Sequence, residues 1–363
     1  METKNENFFE RIKGTITNPQ LLLKFLSDNA ILVILFAILL GVGVARPNFV
    51  SFGNLSTIAI NTAPRFIIAL GISGCLITRG TDLSAGRIVG LGGCIAATLL
   101  QRLDYANLHF AFLPNLIPKF LLDNPFLYVV IVFVITILIC MSFGFINGII
   151  VSRLNVPPFI ATLGMQQVVY SVCLVFSRAQ PIGAFRPEYT IITKGLDLPF
   201  NMANGKPFSI PYMMIIAVVI GALMWFLYNK TKHGKYMYAI GGNETAAEVS
   251  GINTKNSKLK IYGLAGAMYG IAGILLAAKS GGASVNLGSG YELEAIAACT
   301  IGGVSTTGGV GKVSGIIIGV LVFELLKSGL LFMGVNTNYT YLVQGIVIIA
   351  AVAFDIRKYI AKK

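Results

Sequence analysis

FLYVVIVFVITILICMSFGFINGIIV, residues 126–151, contains no charged side chain. About 20 mostly apolar residues are enough to cross a bilayer as a helix, so this stretch reads as a membrane span. The rest of the chain agrees. Of its 363 residues, 55% are hydrophobic and 12% charged, with a mean hydropathy of +0.76. A soluble domain carries about 25% charged residues. Half that charge cannot cover a water-facing surface, which excludes a soluble enzyme, a disordered chain and a secreted disulfide scaffold. The reading is an all-α polytopic membrane protein.

Working outward from 126–151, apolar stretches predict ten spans: 30–45, 56–78, 83–101, 126–151, 159–176, 210–228, 259–278, 293–304, 313–333 and 341–354. A polar N-terminal segment, 1–29, precedes a transmembrane domain over 30–356, and a basic tail, 357–363, follows it. The first stretch is followed by further spans, so it reads as a helix and not as a cleaved signal. Residues 108–124 are apolar but interrupted by Pro114 and Pro118. They read as an interfacial excursion.

The net charge of +13 would point to nucleic acid in a soluble protein, but no aromatic-basic runs accompany it. The positive-inside rule accounts for it better. Of the 28 Lys and Arg, 18 fall in segments predicted inside, Arg79 and Arg87 among them; 8 fall outside, and Arg65 and Lys327 lie within spans. The asymmetry predicts both termini in the cytoplasm. An internal repeat fits this topology. Leu83-Ser84-Ala85 and Leu91-Gly92-Gly93 match Leu293-Glu294-Ala295 and Ile301-Gly302-Gly303 at an offset of 210. The two segments run in opposite directions through the predicted membrane, the pattern of inverted-repeat transporters; chance similarity between Gly/Ala-rich helices is the competing explanation. Gly302 to Gly311 is a glycine-heavy turn, tolerated at membrane depth only against protein or a cavity.

Residues able to carry chemistry are few. The P-loop-like Gly308-Gly309-Val310-Gly311-Lys312 has Thr306 where its first glycine belongs and Val313 where Ser or Thr is required. The five cysteines lie in apolar stretches without a CxxC pair and read as packing residues. With His109 and His233 the only histidines, no metal site is expected. The chain is not expected to be an enzyme, and no cofactor is expected in it.

The basic loop 229–258 holds the strongest local signal. Gly241-Gly242 breaks the chain, Asn243 is a good N-cap, Glu244 complements the helix dipole, Ala246-Ala247 continue the helix and Gly251 can end it. A helix of about seven residues is too short to be stable alone in water, so it must dock: either into a partner's groove, which small Ala side chains would admit, or on its own spans.

Within the spans, polar residues are functional candidates because a central charge costs about 2.5–3.5 kcal/mol even on insertion scales. Arg65, one turn from Asn61, either lines a hydrophilic path or fixes its helix by bonding carbonyls. Glu324 and Lys327 are spaced to pair on one face. Asn147, Gln166, Gln167 and Tyr170 either bind hydroxyls of a polar solute or hold neighbouring helices. Gly263, Gly266, Gly270 and Gly273 give the seventh span a small-residue face for close packing.

TRGTDLSAGR (78–87), the loop from YAIGGN (238–243) through Ala246-Ala247 to Ser250-Gly251, and YELEAIAA (291–298) leading to Gly302-Gly303 together resemble the permease subunits of bacterial ribose-type sugar ABC importers. GTDLSAGR (80–87) and the ending with Gly334-Val335-Asn336, Asp355, Lys358 and Tyr359 resemble the galactose/methyl-galactoside branch. Arg79 departs from that branch, where Gln is expected, and 108–124 and 177–209 differ most.

The resemblance implies a homodimeric pore in the bacterial inner membrane. Two ATPase domains, on one or more separate subunits, would dock on the cytoplasmic face, and a periplasmic or lipid-anchored binding protein would deliver sugar from outside. It also implies that Gly241, Gly242, Asn243, Ala246, Ala247 and Gly251 form the coupling element. Asn61, Arg65, Asn147, Gln166 and Tyr170 are the candidate substrate path. A secondary transporter coupled to protons or sodium is the alternative, with Glu324 as its coupling carboxylate.

Overall fold

The computed structural model describes residues 30–201 and 207–360. The predicted segment 1–29 and residues 361–363 of the predicted tail lie outside the described residues, as do the side chains of Asp355, Lys358 and Tyr359. Each of the ten predicted stretches falls on a helix: α1 (Ala30–Ala45), α2 (Phe52–Ile77), α3 (Ala85–Leu99), α4 (Pro125–Ser152), α5 (Pro158–Ser177), α6 (Tyr212–Lys230), α9 (Thr254–Ser280), α10 (Tyr291–Ile301), α11 (Val313–Phe332) and α12 (Thr337–Ile360). Two more, α7 (Lys232–Gly242) and α8 (Glu244–Val249), form the basic loop. Helix α12 runs past the predicted end of its span at 354 into the predicted tail.

Six of these helices, α2, α4, α5, α6, α9 and α11, are long and apolar enough to cross a membrane. Helices α3 and α10, with 15 and 11 residues, fall short of the length a lipid-facing span needs. The reason lies in their surroundings. Helix α3 is buried along nearly its whole length, and non-helical backbone at membrane depth is tolerated where protein surrounds it.

Burial sorts the helices. The most apolar stretches of α2 and α9 are 83% and 89% buried, whereas that of α4, the most apolar of these six, is only 28% buried. Without a bilayer such an exposed apolar face would be an aggregation surface; here it is the face offered to lipid. Helix α9 lies at the centre, against α2, α3 and α4. Its glycine face is used as the spacing predicts. A Cβ at Gly266 would stand 2.5 Å from the Cys140 carbonyl, and one at Gly270 would stand 3.0 Å from the Cys140 Cβ.

The two halves share one packing scheme. Helix α3 packs on α4, α5 and α9; α10 packs on α11, α12 and α2. Exchanging α2–α5 with α9–α12 in order maps one set of neighbours onto the other.

The chain departs from all-α at one end. β1 (Ile182–Gly183) pairs antiparallel with β4 (Gly282–Ala283), and β2 (Gly195–Asn201) pairs antiparallel with β3 (Pro207–Pro211). Prolines in 177–209 prevent helix continuation, and the polar backbone finds partners in short ladders instead. Residues 108–124 form two one-turn helices, Leu113–Leu116 and Lys119–Leu122, whose Leu113 and Leu121 are buried. Neither is long enough to cross a bilayer.

Candidate functional site

The basic loop folds into a helical corner. Thr231 caps α7 through Gly234 N, and the Asn243 side chain accepts from Ala246 N at 3.0 Å to start α8. Gly251, at φ +84°, ends it, with its N–H donating to the Glu248 carbonyl at 2.9 Å. Two side-chain ties fix α8 to the first turns of α9. Lys258 Nζ stands 2.6 Å from Glu244 Oε1, and Thr254 Oγ1 donates to Glu248 Oε1 at 2.6 Å. Burial and nearby Lys260 hold the His233 imidazole of α7 below its ordinary 6.5, so it is neutral at pH 7.

The two alanines face opposite ways. Ala247 is buried against its own chain, while Thr245, Ala246 and Val249 are exposed, Val249 to 86%. Ala247 is therefore not part of an outward groove-entering surface; it packs on its own chain, the second of the two dockings the sequence left open. A six-residue helix has only one buried position here, and its period does not reveal which alanine fills it. Gly241 is also an inward residue: a Cβ there would collide with the Ile77 carbonyl.

The TRGTDLSAGR turn lies beside this corner and is bonded from several sides. The Asp82 carboxylate accepts from Ser84 N at 3.0 Å, Ser84 Oγ at 2.6 Å and Tyr269 of α9 at 3.1 Å. Thr162 of α5 accepts from Leu83 N at 3.1 Å. A cavity of about 210 Å³ opens between this turn, Val151, Pro158 and the Glu244–Lys258 pair.

The path candidates separate into three places. Asn61 and Arg65 lie on α2. The Arg65 guanidinium donates to the Asn61 carbonyl at 3.0 Å and to Glu294 of α10 at 3.1 Å, and it stands 3.1 Å from Glu324 of α11. Its carbon lies 4.8 Å from the Tyr291 ring centre. The space beside it is about 10 Å³, room for a water at most. Arg65 thus combines a carbonyl bond with an interhelix ionic cluster and lines no open channel in this conformation. Glu324 pairs with Arg65 and not with Lys327, which corrects the same-face pairing expected from their spacing. The i, i+3 relation gives proximity along one helix, but a buried carboxylate gains more from a guanidinium offered across the interface.

Asn147 is fully buried and donates to Ser84 Oγ at 2.8 Å, which places it in the Asp82 network. Gln166 and Tyr170 lie one turn apart on α5, both half-buried, and Tyr170 faces Arg87, whose guanidinium carbon stands 4.4 Å from its ring centre. Arg87 also donates to the Val285 carbonyl at 3.1 Å. It belongs inside the bundle, not in the inner charged segment where sequence counting put it. The five candidates do not form one lining. Sequence reasoning missed Glu292, which is buried, and Glu294, which is half-buried; their signal was two carboxylates opening an otherwise apolar Ala-rich span.

A central glycine-faced helix, lipid-facing apolar helices and a capped corner tied to one end are the architecture of a multi-pass membrane protein. Residues 54–352 match the model of a family described as branched-chain amino acid transport system / permease component, and the chain belongs to that family. It is similar to the galactose/methyl galactoside import permease proteins MglC of Escherichia coli (strain K12), 41% identical over 95% of this chain and 99% of the relative, and of Haemophilus influenzae, 41% over 93% and 96%. It is also similar to the ribose import permease protein RbsC of E. coli (strain K12), 31% identical over 92% of this chain and 95% of the relative. No solved structure matches the chain. The protein is a multi-pass inner-membrane transporter subunit.

Proposed function

We propose that this chain is the permease subunit of an ATP-driven importer of galactose, methyl galactoside or a related monosaccharide. Two copies enclose the pore, each with ten spans in inverted repeat and both termini in the cytoplasm. Separate ATPase subunits dock on the cytoplasmic corner, and a sugar-binding protein loads the opposite face. The observation that carries this reading is the outer face of α8. An apolar Val249 and a small Ala246 stand out from a polar corner that α9 holds in place by two side-chain ties. A preorganised knob of this kind lowers the ordering cost of docking. The names of the relatives support the solute. A proton- or sodium-coupled transporter would need Glu324 free to exchange its ion, and Arg65 at 3.1 Å neutralises it.

The test co-expresses the chain with its ATPase and binding protein. Val249→Asp should weaken ATPase co-purification and ATP-dependent galactose uptake at least tenfold, about 1.4 kcal/mol, while insertion is unchanged. Uptake by the unaltered complex should survive an uncoupler while ATP is maintained. Collapse of uptake with the proton gradient alone would overturn the proposal.

A further inference from the structure

Three turns distant in sequence meet at the inner corner with no room between them. The first is the end of α2 with Arg79, the second the α7–α8 corner at Gly241-Gly242, and the third the glycine turn between α10 and α11. Gly309 N donates to the Ile77 carbonyl at 2.8 Å, and Tyr238 donates to the Gly311 carbonyl at 2.8 Å. A Cβ at Gly241 would stand 2.5 Å from Gly309 N, and one at Gly308 would meet the Arg79 side chain. Gly308 and Gly309 lie at φ +92° and +76°, and Arg79 itself at φ +60°, a conformation that costs a non-glycine residue energy and persists where the surroundings demand it.

Arg79 spans the junction. Its Nε donates to the Gly241 carbonyl at 2.8 Å and its terminal nitrogen to the Gly242 carbonyl at 2.6 Å. These are carbonyls of the last turn of α7, which no later helical N–H satisfies and which attract a cation. We propose that Arg79 is a positioning residue for coupling. Its planar fork locks the α7–α8 corner to the end of α2, so that displacement of α8 is passed to α2 and not absorbed at Gly241-Gly242. Helix α2 is pinned further along by Arg65 to α10 and α11, and the glycine turn at the junction joins those same two helices. The corner, α2, α10 and α11 therefore move as one body.

This proposal rests on the docking of α8 proposed above. Lysine offers a point charge without the fork and can serve one carbonyl well but not both. Because Arg79 is itself exposed, its bonds add little to global stability, and its loss should leave a folded, inserted protein.

The experiment uses the assembled complex of permease, ATPase and binding protein, comparing the unaltered chain with Arg79→Ala, Arg79→Gln and Arg79→Lys. For Arg79→Ala, ATPase co-purification and the hydrolysis rate should stay within about twofold of the unaltered complex, while sugar moved per ATP hydrolysed falls at least tenfold. Arg79→Lys and Arg79→Gln should be intermediate. A parallel fall of hydrolysis and uptake, loss of the ATPase from the Arg79→Ala complex, an Arg79→Ala permease that fails to insert, or an unchanged ratio would each overturn the positioning role while leaving α8 docking in place. If the ATPase fails to associate even with the unaltered permease, the docking reading falls and takes this one with it.

Discussion

Arg65 meets two carboxylates across helix interfaces, and the energetic consequence follows from its burial. It is 8% exposed and Glu324 3%; breaking a buried pair leaves an uncompensated charge, at about 3–5 kcal/mol. Arg65→Leu should therefore lower the thermal unfolding midpoint of the purified protein strongly. Glu324→Gln, which keeps Arg65 paired with Glu294, should lower it less. Equal melting of Arg65→Leu and the unaltered chain would show that the cluster contributes nothing to the fold. The position of Arg65 was legible in the sequence as a charge inside an apolar span. Its partners were not, because Glu294 lies 229 residues away and no local spacing encodes that meeting. Lys327, three residues from Glu324, offered the nearer and mistaken partner.

Helix α9 is where the spacing of residues was most informative. Gly263 faces Phe145, Gly266 the Cys140 carbonyl and Gly273 the Val89 carbonyl, so the stripe at 263, 266, 270 and 273 reads directly as close contact with α4 and α3. Gly266→Ala should cost about 1–3 kcal/mol by overpacking. Gly164→Ala on α5, where an added Cβ meets nothing within 4 Å, should cost nothing, since alanine is the better helix former. Thermal melts of the two variants side by side check this, and equal destabilisation would refute the close-packing account. Helix α8 was legible in its ends but not in its rotation. Asn243 and Gly251 announce a start and a stop through local backbone chemistry. Which side of a six-residue helix is buried depends on the α9 side chains that tie it, and those ties form only in the folded chain. The β1–β4 ladder escaped notice for the same reason: the pairing of Ile182–Gly183 with Gly282–Ala283 is a long-range event.

At the scale of the molecule, two ends are chemically distinct. One gathers the Arg79 turn, the α7–α8 corner and the 302–312 loop. The other gathers the strands, the bridge between Gln101 and Phe185 and the segment after α3. Helix α3 alone separates its own two ends by roughly 22 Å at 1.5 Å per residue, most of a hydrocarbon core. Charge counting gave these ends opposite sides of the membrane, and moving Arg87 from the inner segment into the bundle leaves 17 inner Lys and Arg against 8 outer, the same sign. All five native cysteines are buried, so an introduced surface cysteine reports its own location. Tyr105→Cys, exposed on the strand-bearing end, should react with a membrane-impermeant maleimide in intact cells. Thr245→Cys, exposed on α8, should react only after the membrane is opened. Labelling of both from outside, or of Thr245→Cys alone, would overturn the topology and with it the placing of the α8 knob where an ATPase could reach it.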